Sequence, residues 1–323
     1  MVLRRKARKT RRQPPGMDII GVPLDLGVKE LGLKLGPDAF RHAGLMDVTK
    51  RLGLDACDLG NIERPVLESE ADEGDHQTGL IAEWCRQVAG VVAESVGQGR
   101  VPVCLGGDHS LTIGSLAGVT ARLGRVGCLW LDAHPDANTP ETSPSGNIHG
   151  MPVAILLGHG PEKLVHLLGR GAKITCEDMA LLGVRDIDPG EMEFIRRHRL
   201  KMVSVFDVLE RGLSQVVKET LRQVTARTRG VHVSIDLDVL HEDIAPGVGL
   251  PSRCGFDMRE ATYICRCIAD GCTVTSIDIV GLNPVRDRNM QTAMRAVELL
   301  MILLGQSYSY SYEDYLQAQA CAR

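Results

Sequence analysis

Residues 101–131 read VPVCLGGDHSLTIGSLAGVTARLGRVGCLWL, and this stretch indicates the fold of the whole chain. An apolar run, Val101–Leu105, is followed by a helical period over Leu111–Leu123 and by a second apolar run, Val126–Leu131. The runs are continuous rather than alternating, which is typical of strands with both faces covered. The stretch therefore predicts two parallel strands joined by a helix.

The same alternation extends over most of the chain. Eight apolar runs predict strands, at Met17–Val22, Leu54–Leu59, Val101–Leu105, Val126–Leu131, Ala180–Val184, Met202–Val205, Val231–Ile235 and Thr273–Val280. Segments with helical periodicity lie between or after these runs, at Pro37–Arg51, His76–Val96, Leu111–Leu123, Glu191–Arg197, Leu213–Ala226, Met258–Ala269 and Met290–Leu304. This pattern predicts a three-layer α/β fold, with a mostly parallel eight-stranded sheet and helices on both of its faces. We expect a single domain over residues 17–305, because no linker or internal repeat interrupts it.

Composition and charge exclude several classes of protein. The chain has 323 residues, 44% of them hydrophobic and 24% charged, which is typical of globular proteins rather than disordered or fibrous ones. Residues 1–16 carry seven basic side chains and no acid, so we expect a disordered basic leader there and a tail over 306–323. The remaining body is acidic, which argues against a nucleic acid as partner. No stretch reaches the ~18 uncharged apolar residues that suggest a membrane span.

The leader and the cysteines bear on the location of the protein. Residues 1–16 lack the apolar core of a secretory signal, and the ten cysteines show no CxxC spacing. Free thiols are typical of a reducing compartment, so we expect a cytoplasmic protein. The Arg-rich, acid-free leader leaves a mitochondrial location open.

Three strand ends are rich in metal-ligating residues: Leu105-Gly-Gly-Asp-His-Ser110, Leu131-Asp-Ala-His-Pro-Asp-Ala-Asn138 and Ser234-Ile-Asp-Leu-Asp238. Side chains two residues apart in an extended segment point the same way. We therefore expect Asp132, His134 and Asp136 to converge, and Asp236 to converge with Asp238. Each motif alone is also compatible with a helix cap or a turn, but three together favour a shared site at the carboxyl edge of the sheet.

Four aspartates in one cavity would repel one another strongly unless positive charge lies between them. Two divalent cations balance four carboxylates. With His109 and His134, the ligands combine carboxylate oxygen and imidazole nitrogen, which suits Mn²⁺ or a similar first-row ion better than a thiolate-preferring metal. The sequence therefore predicts a dinuclear site whose shared carboxylates hold the ions ~3.5–4 Å apart.

These motifs resemble the arginase branch of the ureohydrolase family, which are manganese enzymes that hydrolyse guanidino groups to urea. The similarity runs over residues 17–305 and includes the three strand ends described above. It also includes Gly21-Val-Pro-Leu-Asp-Leu-Gly27, Gly36-Pro37, Ser145-Gly-Asn-Ile-His-Gly150 and Gly183-Val-Arg-Asp-Ile-Asp-Pro-Gly-Glu191.

The resemblance implies two Mn²⁺ per chain and a role for each ligand. One ion would be held by His109, Asp132, Asp136 and Asp236, and the other by His134, Asp132, Asp236 and Asp238. A hydroxide bridging the ions would be the nucleophile. The resemblance also implies that Asp136 accepts a proton from that nucleophile and that His149 is a proton shuttle.

The substrate implied by the resemblance is L-arginine, with L-ornithine and urea as products. Its α-carboxylate would be held by Asn138, Ser143, Ser145 and Asn147, and its α-amino group by Asp188 and Glu191. Polar donors and carboxylates are the groups that a free amino acid requires. Arginase relatives are commonly trimers or hexamers, so the resemblance also implies a homo-trimer or homo-hexamer.

Three positions depart from the family pattern. Gly281 stands where the family has a glutamate that pairs with the guanidinium, Leu250 replaces a pocket threonine, and His241-Glu242 replaces an Asp-Pro pair. Loss of such a buried charge pair costs ~2–5 kcal/mol. If the missing acid is the only defect, we expect Gly281→Glu to raise activity on arginine; Glu242 and Glu141 are candidates to compensate for it.

Two alternatives to arginine hydrolysis therefore stay open. The first is a related ureohydrolase acting on another guanidino or formimino compound, for example Nω-hydroxyarginine or formiminoglutamate, because a less basic group does not need the carboxylate at Gly281. The second is a catalytically silent arginase-like protein that binds an amino acid or a partner. The complete set of six metal ligands argues against the second alternative.

Overall fold

The computed structural model describes residues 16–28, 30–66 and 73–306, so most of the predicted leader and tail lies outside the described residues. Its eight strands are β1 (Met17–Val22), β2 (Ala56–Asn61), β3 (Val101–Gly106), β4 (Gly127–Leu131), β5 (Met179–Val184), β6 (Lys201–Ser204), β7 (Val231–Asp236) and β8 (Val274–Val280). They form one sheet in the order β2-β1-β3-β8-β7-β4-β5-β6, and every neighbouring pair is parallel. The predicted parallel sheet is confirmed.

The helices are α1 (Gly36–His42), α2 (Leu45–Arg51), α3 (Glu73–Gly97), α4 (Leu111–Leu123), α5 (Pro152–Leu156), α6 (Glu162–Val165), α7 (Pro189–His198), α8 (Val205–Arg211), α9 (Leu213–Thr225), α10 (Met258–Gly271) and α11 (Gln291–Leu303). Short 3-10 turns occur at Leu33–Leu35, Ile148–Gly150, Cys176–Asp178 and Leu237–Val239. Among the described helices, none combines the length and the apolar character needed to cross a membrane.

The core consists of two apolar clusters, one on each face of the sheet. Ile19 of β1 packs in the cluster that contains Leu300 of α11, whereas its neighbour Ile20 packs in the cluster that contains Trp84 of α3. Adjacent strand residues point to opposite faces, so this division shows that helices cover both faces. The predicted three-layer α/β fold is confirmed, and the continuous apolar runs reflect this double burial.

The structure differs from the sequence prediction in three local features. The helix predicted over Pro37–Arg51 is broken into α1 and α2, because Gly44 adopts the left-handed conformation with φ of 84°. Strand β2 is an edge strand with alternating half-buried and exposed side chains. A helix, α8, begins at Val205 where the sequence predicts the end of a strand, because Ser204 and Asp207 form a capping box.

The four central strands of the sheet, β3, β8, β7 and β4, are the ones that carry the predicted site. They lie side by side and run in the same direction, so their carboxyl ends meet at one edge. The segments after β3, β4 and β7 contain the three ligand-rich motifs, and Gly281 follows β8 directly. Parallel pairing thus brings together residues that are far apart in the chain.

Candidate metal centre

A cavity of about 180 Å³ lies at the carboxyl ends of these central strands. All six predicted metal ligands line it, together with Asn138, Ser143, Ser145, His149, Asp188, Glu191, Leu250 and Gly281. The other lining residues are Val28, Leu33, Asp108, Gly150 and Gly249. The structure therefore brings every predicted site residue to one cavity except Asn147, which is not among its lining residues.

The first group of candidate ligands surrounds His109, which follows β3. Its Nδ1 lies 2.9 Å from Asp132 Oδ2, 3.1 Å from Asp136 Oδ2 and 3.7 Å from Asp236 Oδ2. This Nδ1 is buried and has no hydrogen-bond partner among the described residues. A ring nitrogen without a partner that faces three carboxylate oxygens fits a divalent cation.

The second group surrounds His134 and shares Asp132 with the first. His134 Nδ1 lies 3.1 Å from Asp238 Oδ2 and 3.5 Å from Asp132 Oδ1. In the His109–Asp132–Asp236 group and in the Asp132–His134–Asp238 group, the ligand atoms lie within 4.8 Å of one another. A carboxylate that offers one oxygen to each group is the arrangement expected of a two-metal site.

Turns, rather than a continuous extended segment, bring these side chains together. Asp236 ends β7, and Asp238 lies in the 3-10 turn Leu237–Val239, where its backbone N–H donates to Asp236 Oδ1 over 3.0 Å. Asp136 has a φ of 50°, in the left-handed region that few residues other than glycine adopt. The side chains converge as predicted, but the prediction that they do so on an extended segment is wrong.

Sequence reasoning missed two side chains that hold the ligands in place. Trp130 stacks on the ring of His109 with centroids 3.9 Å apart, and its Nε1 donates to Asp132 Oδ2 over 3.1 Å. Ser234 Oγ lies 2.8 Å from His109 Nε2. Each stands two positions before a ligand, Asp132 or Asp236, on the same strand face, so period-two spacing was the signal that could have found them.

Electrostatics within the site favour bound cations. Burial and the charge of Asp132 raise the pKa of Asp136 to about 7, and burial with Asp238 and Asp132 raises that of Asp236 well above its usual range. Asp132 itself has a lowered pKa, because the adjacent rings of His109 and His134 outweigh its burial. Divalent cations bound between these carboxylates would relieve their electrostatic repulsion.

The segment facing the metal centre is held by the start of α7. Asn138 Nδ2 donates to Asp188 Oδ2 over 2.9 Å, and the two oxygens of Glu191 accept the backbone N–H groups of Ala137 and Asp188, each over 3.0 Å. Burial raises the pKa of Glu191 to about 7. Asp188 and Glu191 form the capping box of α7, so they have a structural role in addition to lining the cavity.

Gly281 lies where a side chain would crowd a candidate metal ligand. Its φ is 81°, and a Cβ placed on it would lie 2.2 Å from Asp236 Oδ1. A side chain there requires Asp236, a candidate metal ligand, to shift, which argues against the gain in activity expected from Gly281→Glu. Neither Glu141 nor Glu242 is among the described residues that line the cavity, whereas Leu250 is.

Comparison with known proteins identifies the family of the chain. The model of the Arginase family matches residues 16–305. The arginase of Bacillus caldovelox is 42% identical over 293 residues, which are 90% of this chain and 98% of that protein. The chain belongs to the arginase family.

Solved structures of family members agree with this assignment. The crystal structure of Bacillus caldovelox arginase superposes with a TM-score of 0.87, covering 91% of this arginase-family chain and 100% of that chain. The crystal structure of Bacillus subtilis arginase, 37% identical, gives a TM-score of 0.84 with coverages of 91% and 100%. This member of a metal-dependent family is a hydrolase that acts on guanidino compounds, and its substrate is a small molecule.

Proposed function

We propose that this arginase-family protein is a dinuclear manganese hydrolase that cleaves L-arginine to L-ornithine and urea. The observation that carries the proposal is Asp132, whose two oxygens face His109 and His134 separately inside one cavity. A shared carboxylate of this kind is expected where two ions bind side by side. The relatives named arginase support arginine as the substrate.

The ligands would divide between two ions. His109, Asp132, Asp136 and Asp236 would hold one, and His134, Asp132, Asp236 and Asp238 the other. Mixed carboxylate and imidazole ligands suit Mn²⁺. When bound, the ions would lower the pKa of a water molecule so that it can attack the guanidinium carbon near neutral pH.

One side chain would accept a proton in this reaction and another would donate one. Asp136 lies in the cavity beside His109, so its carboxylate would accept a proton from the attacking water. Burial and the nearby charge of His134 lower the pKa of His149 to about 4. His149 is therefore neutral at pH 7, and once protonated it would be a strong acid toward the leaving amine.

The remaining lining residues would orient the amino acid. Asn138, Ser143 and Ser145 would donate to its α-carboxylate, with Asn147 completing the same loop. Asp188 and Glu191 would accept hydrogen bonds from its α-ammonium group. Charge-assisted hydrogen bonds of both signs would distinguish a free amino acid from an amine that lacks the carboxylate.

A second candidate substrate is favoured by Gly281. The glycine leaves the guanidinium end of the cavity without the family's carboxylate, and the neighbouring lining residue Leu250 is apolar. A less basic group, such as that of Nω-hydroxyarginine, loses less free energy in such surroundings than a full guanidinium cation. Arginine remains our first proposal because the relatives are named for it.

The assembly and the location belong to the same proposal. We propose a homo-trimer or homo-hexamer in the cytoplasm. Light scattering of the purified full chain would measure its mass, and a monomer would contradict the proposed assembly.

Urea release from the Mn²⁺-loaded protein tests the proposed activity. We expect turnover of L-arginine and much weaker turnover of agmatine, because agmatine has no carboxylate for Asn138 and Ser143. A higher kcat/KM for Nω-hydroxyarginine than for arginine would favour the second candidate. Protein that binds two Mn²⁺ per chain and turns over none of these compounds would overturn the enzymatic proposal and favour a binding role.

A further inference from the structure

A chain of buried hydrogen bonds runs from His109 away from the cavity to Asp278 of β8. His109 Nε2 lies 2.8 Å from Ser234 Oγ, and Ser234 Oγ lies 3.2 Å from Thr112 Oγ1. Thr112 Oγ1 donates to Asp278 Oδ2 over 2.8 Å. Each of these four residues is at most 1% exposed, so water does not compete for these hydrogen bonds. We refer to Ser234, Thr112 and Asp278 as the hydroxyl relay.

Asp278 at the far end of the relay is an ionised carboxylate. Burial alone would raise its pKa, but His232, whose Nε2 lies 3.3 Å away, and hydrogen bonds from Ser115 and Thr112 lower the pKa below its ordinary value. An ionised carboxylate accepts hydrogen bonds and cannot donate them. Asp278 therefore fixes the direction of the first bond in the relay.

That direction propagates to His109. Because Thr112 gives its proton to Asp278, its oxygen is left to accept from Ser234. Ser234 then gives its proton to Thr112 and accepts from His109, so the proton of the imidazole lies on Nε2. In the neutral ring that a metal ion requires, the lone pair of His109 is consequently on Nδ1, the atom that faces Asp132 and Asp136.

We infer that Asp278 is a positioning residue for the metal centre, because through Thr112 and Ser234 it holds His109 in its metal-binding tautomer. Metal-ligating histidines commonly donate their other ring N–H directly to a carboxylate or carbonyl. Here the carboxylate is reached through two hydroxyl groups instead. The inference rests on the proposed metal site and is independent of the identity of the substrate.

Without the relay, Ser234 would be free to turn its proton toward His109 Nε2. That arrangement stabilises the tautomer with the proton on Nδ1, which cannot bind an ion. Thr112→Val keeps the shape of the side chain and removes its hydroxyl. Thr112→Ser keeps the hydroxyl and is the conservative variant that should restore the wild-type behaviour.

Calorimetric titration with Mn²⁺ tests the inference on the full chain. We expect wild-type protein to bind two ions and Thr112→Val to bind one of them about 10- to 100-fold more weakly, with the second little changed. Thr112→Ser should stay within about threefold of the wild type. Wild-type protein that binds no Mn²⁺ would overturn the proposed function as well, whereas wild-type affinities in Thr112→Val would overturn this inference alone.

Ser115→Ala is the matched control, because Ser115 also donates to Asp278 but does not lead to His109. We expect its Mn²⁺ affinities to remain within about threefold of the wild type. An equal loss in Ser115→Ala and Thr112→Val would mean that the core around Asp278 acts only as packing, and would overturn the relay.

If Thr112→Val does not fold, the position of the ring proton of His109 can be measured in the wild-type protein instead. In Zn²⁺-loaded wild-type protein with nitrogen-15-labelled histidine, we expect the His109 ring to carry a slowly exchanging proton on Nε2. A ring with the proton on Nδ1, or with an Nε2 proton that exchanges at the rate of an exposed histidine, would overturn the inference.

Discussion

The two candidate metal groups use the same kinds of ligand in very different surroundings. The His109 side chain is 1% exposed, stacks on Trp130 and leads into the buried hydroxyl relay. The His134 side chain is 25% exposed, and its Nε2 lies 3.6 Å from an oxygen of Asp186, whose own side chain is 70% exposed. His109 is therefore held by contacts with buried residues, whereas His134 is held partly by a contact with an exposed residue.

This difference teaches that ligand identity alone does not determine how firmly an ion is held. A buried hydrogen-bond network fixes the ring before an ion arrives, whereas an exposed carboxylate is screened by water and salt. We therefore expect the ion of the His134 group to exchange with solvent first. The following predictions test this asymmetry, from the largest expected effect to the smallest.

Asp132→Ala removes the ligand that both groups share. It should therefore abolish metal binding in both groups and, with it, the difference between them. We expect loss of both ions and of urea release, because each proposed ion loses the ligand common to both candidate groups. Metal analysis after gel filtration measures the stoichiometry. Retention of one ion at wild-type affinity would show that Asp132 serves a single site.

Gly281→Ala should weaken the metal centre through Asp236, which is a proposed ligand of both ions. Its Cβ would displace Asp236, so we expect Mn²⁺ affinity to fall about 100-fold, and Gly281→Glu to lower activity rather than raise it. Gly44→Ala is the matched control, because Gly44 has a similar φ of 84° with no atom within 4 Å of the added Cβ. The control should lose ~1–2 kcal/mol of unfolding free energy and no metal affinity. Equal metal binding in both variants would contradict the clash with Asp236.

His149 reports on the electrostatics of the His134 side. Its folded-state pKa of about 4 lies below that of an unfolded histidine, about 6.5, so the unfolded chain binds more protons between these values. The contribution of His149 to stability is therefore fully present above pH 6.5 and is lost as the pH falls toward 4.

Denaturant titrations of metal-free wild type and His149→Asn measure this loss. Between pH 6.5 and pH 4 the wild type should lose ~2–3 kcal/mol more than the variant. Identical pH profiles would mean that His149 titrates like an exposed histidine.

Asp186→Asn should have the smallest effect. Because the Asp186 side chain is 70% exposed, its removal should speed release of the less firmly held ion to a chelator by only a few-fold. Stopped-flow release of Mn²⁺ to a chelator measures both ions in one experiment. A change in the slower ion, rather than the faster, would reverse the assignment of the two groups.

The strands were predictable because both faces of the sheet are buried. Val101–Leu105 and Val231–Ile235 are continuous apolar runs, and the structure places β3 and β7 there. The break at Gly44 and the start of α8 were missed because a backbone dihedral and a capping box decide them, not hydrophobic periodicity. Local chemistry overrides the pattern at such points.

The ligands of the site were predictable because motifs at strand ends carry them. The relay was not, because Thr112, Ser234 and Asp278 belong to three elements that only the order of the sheet brings together. The close approach of Gly281 to Asp236 was equally hidden, since the two residues follow different strands, β8 and β7. Contacts across elements, rather than spacing, determine these features.

The position of β8 in the sheet has a consequence for synthesis of the protein. Of the eight described strands this one is made last, yet it lies between β3 and β7, in the middle of the sheet. A nascent chain that ends before residue 274 therefore has neither the bridge between the two halves nor the aspartate behind His109. We therefore expect the metal centre to reach its final form only after β8 has left the ribosome.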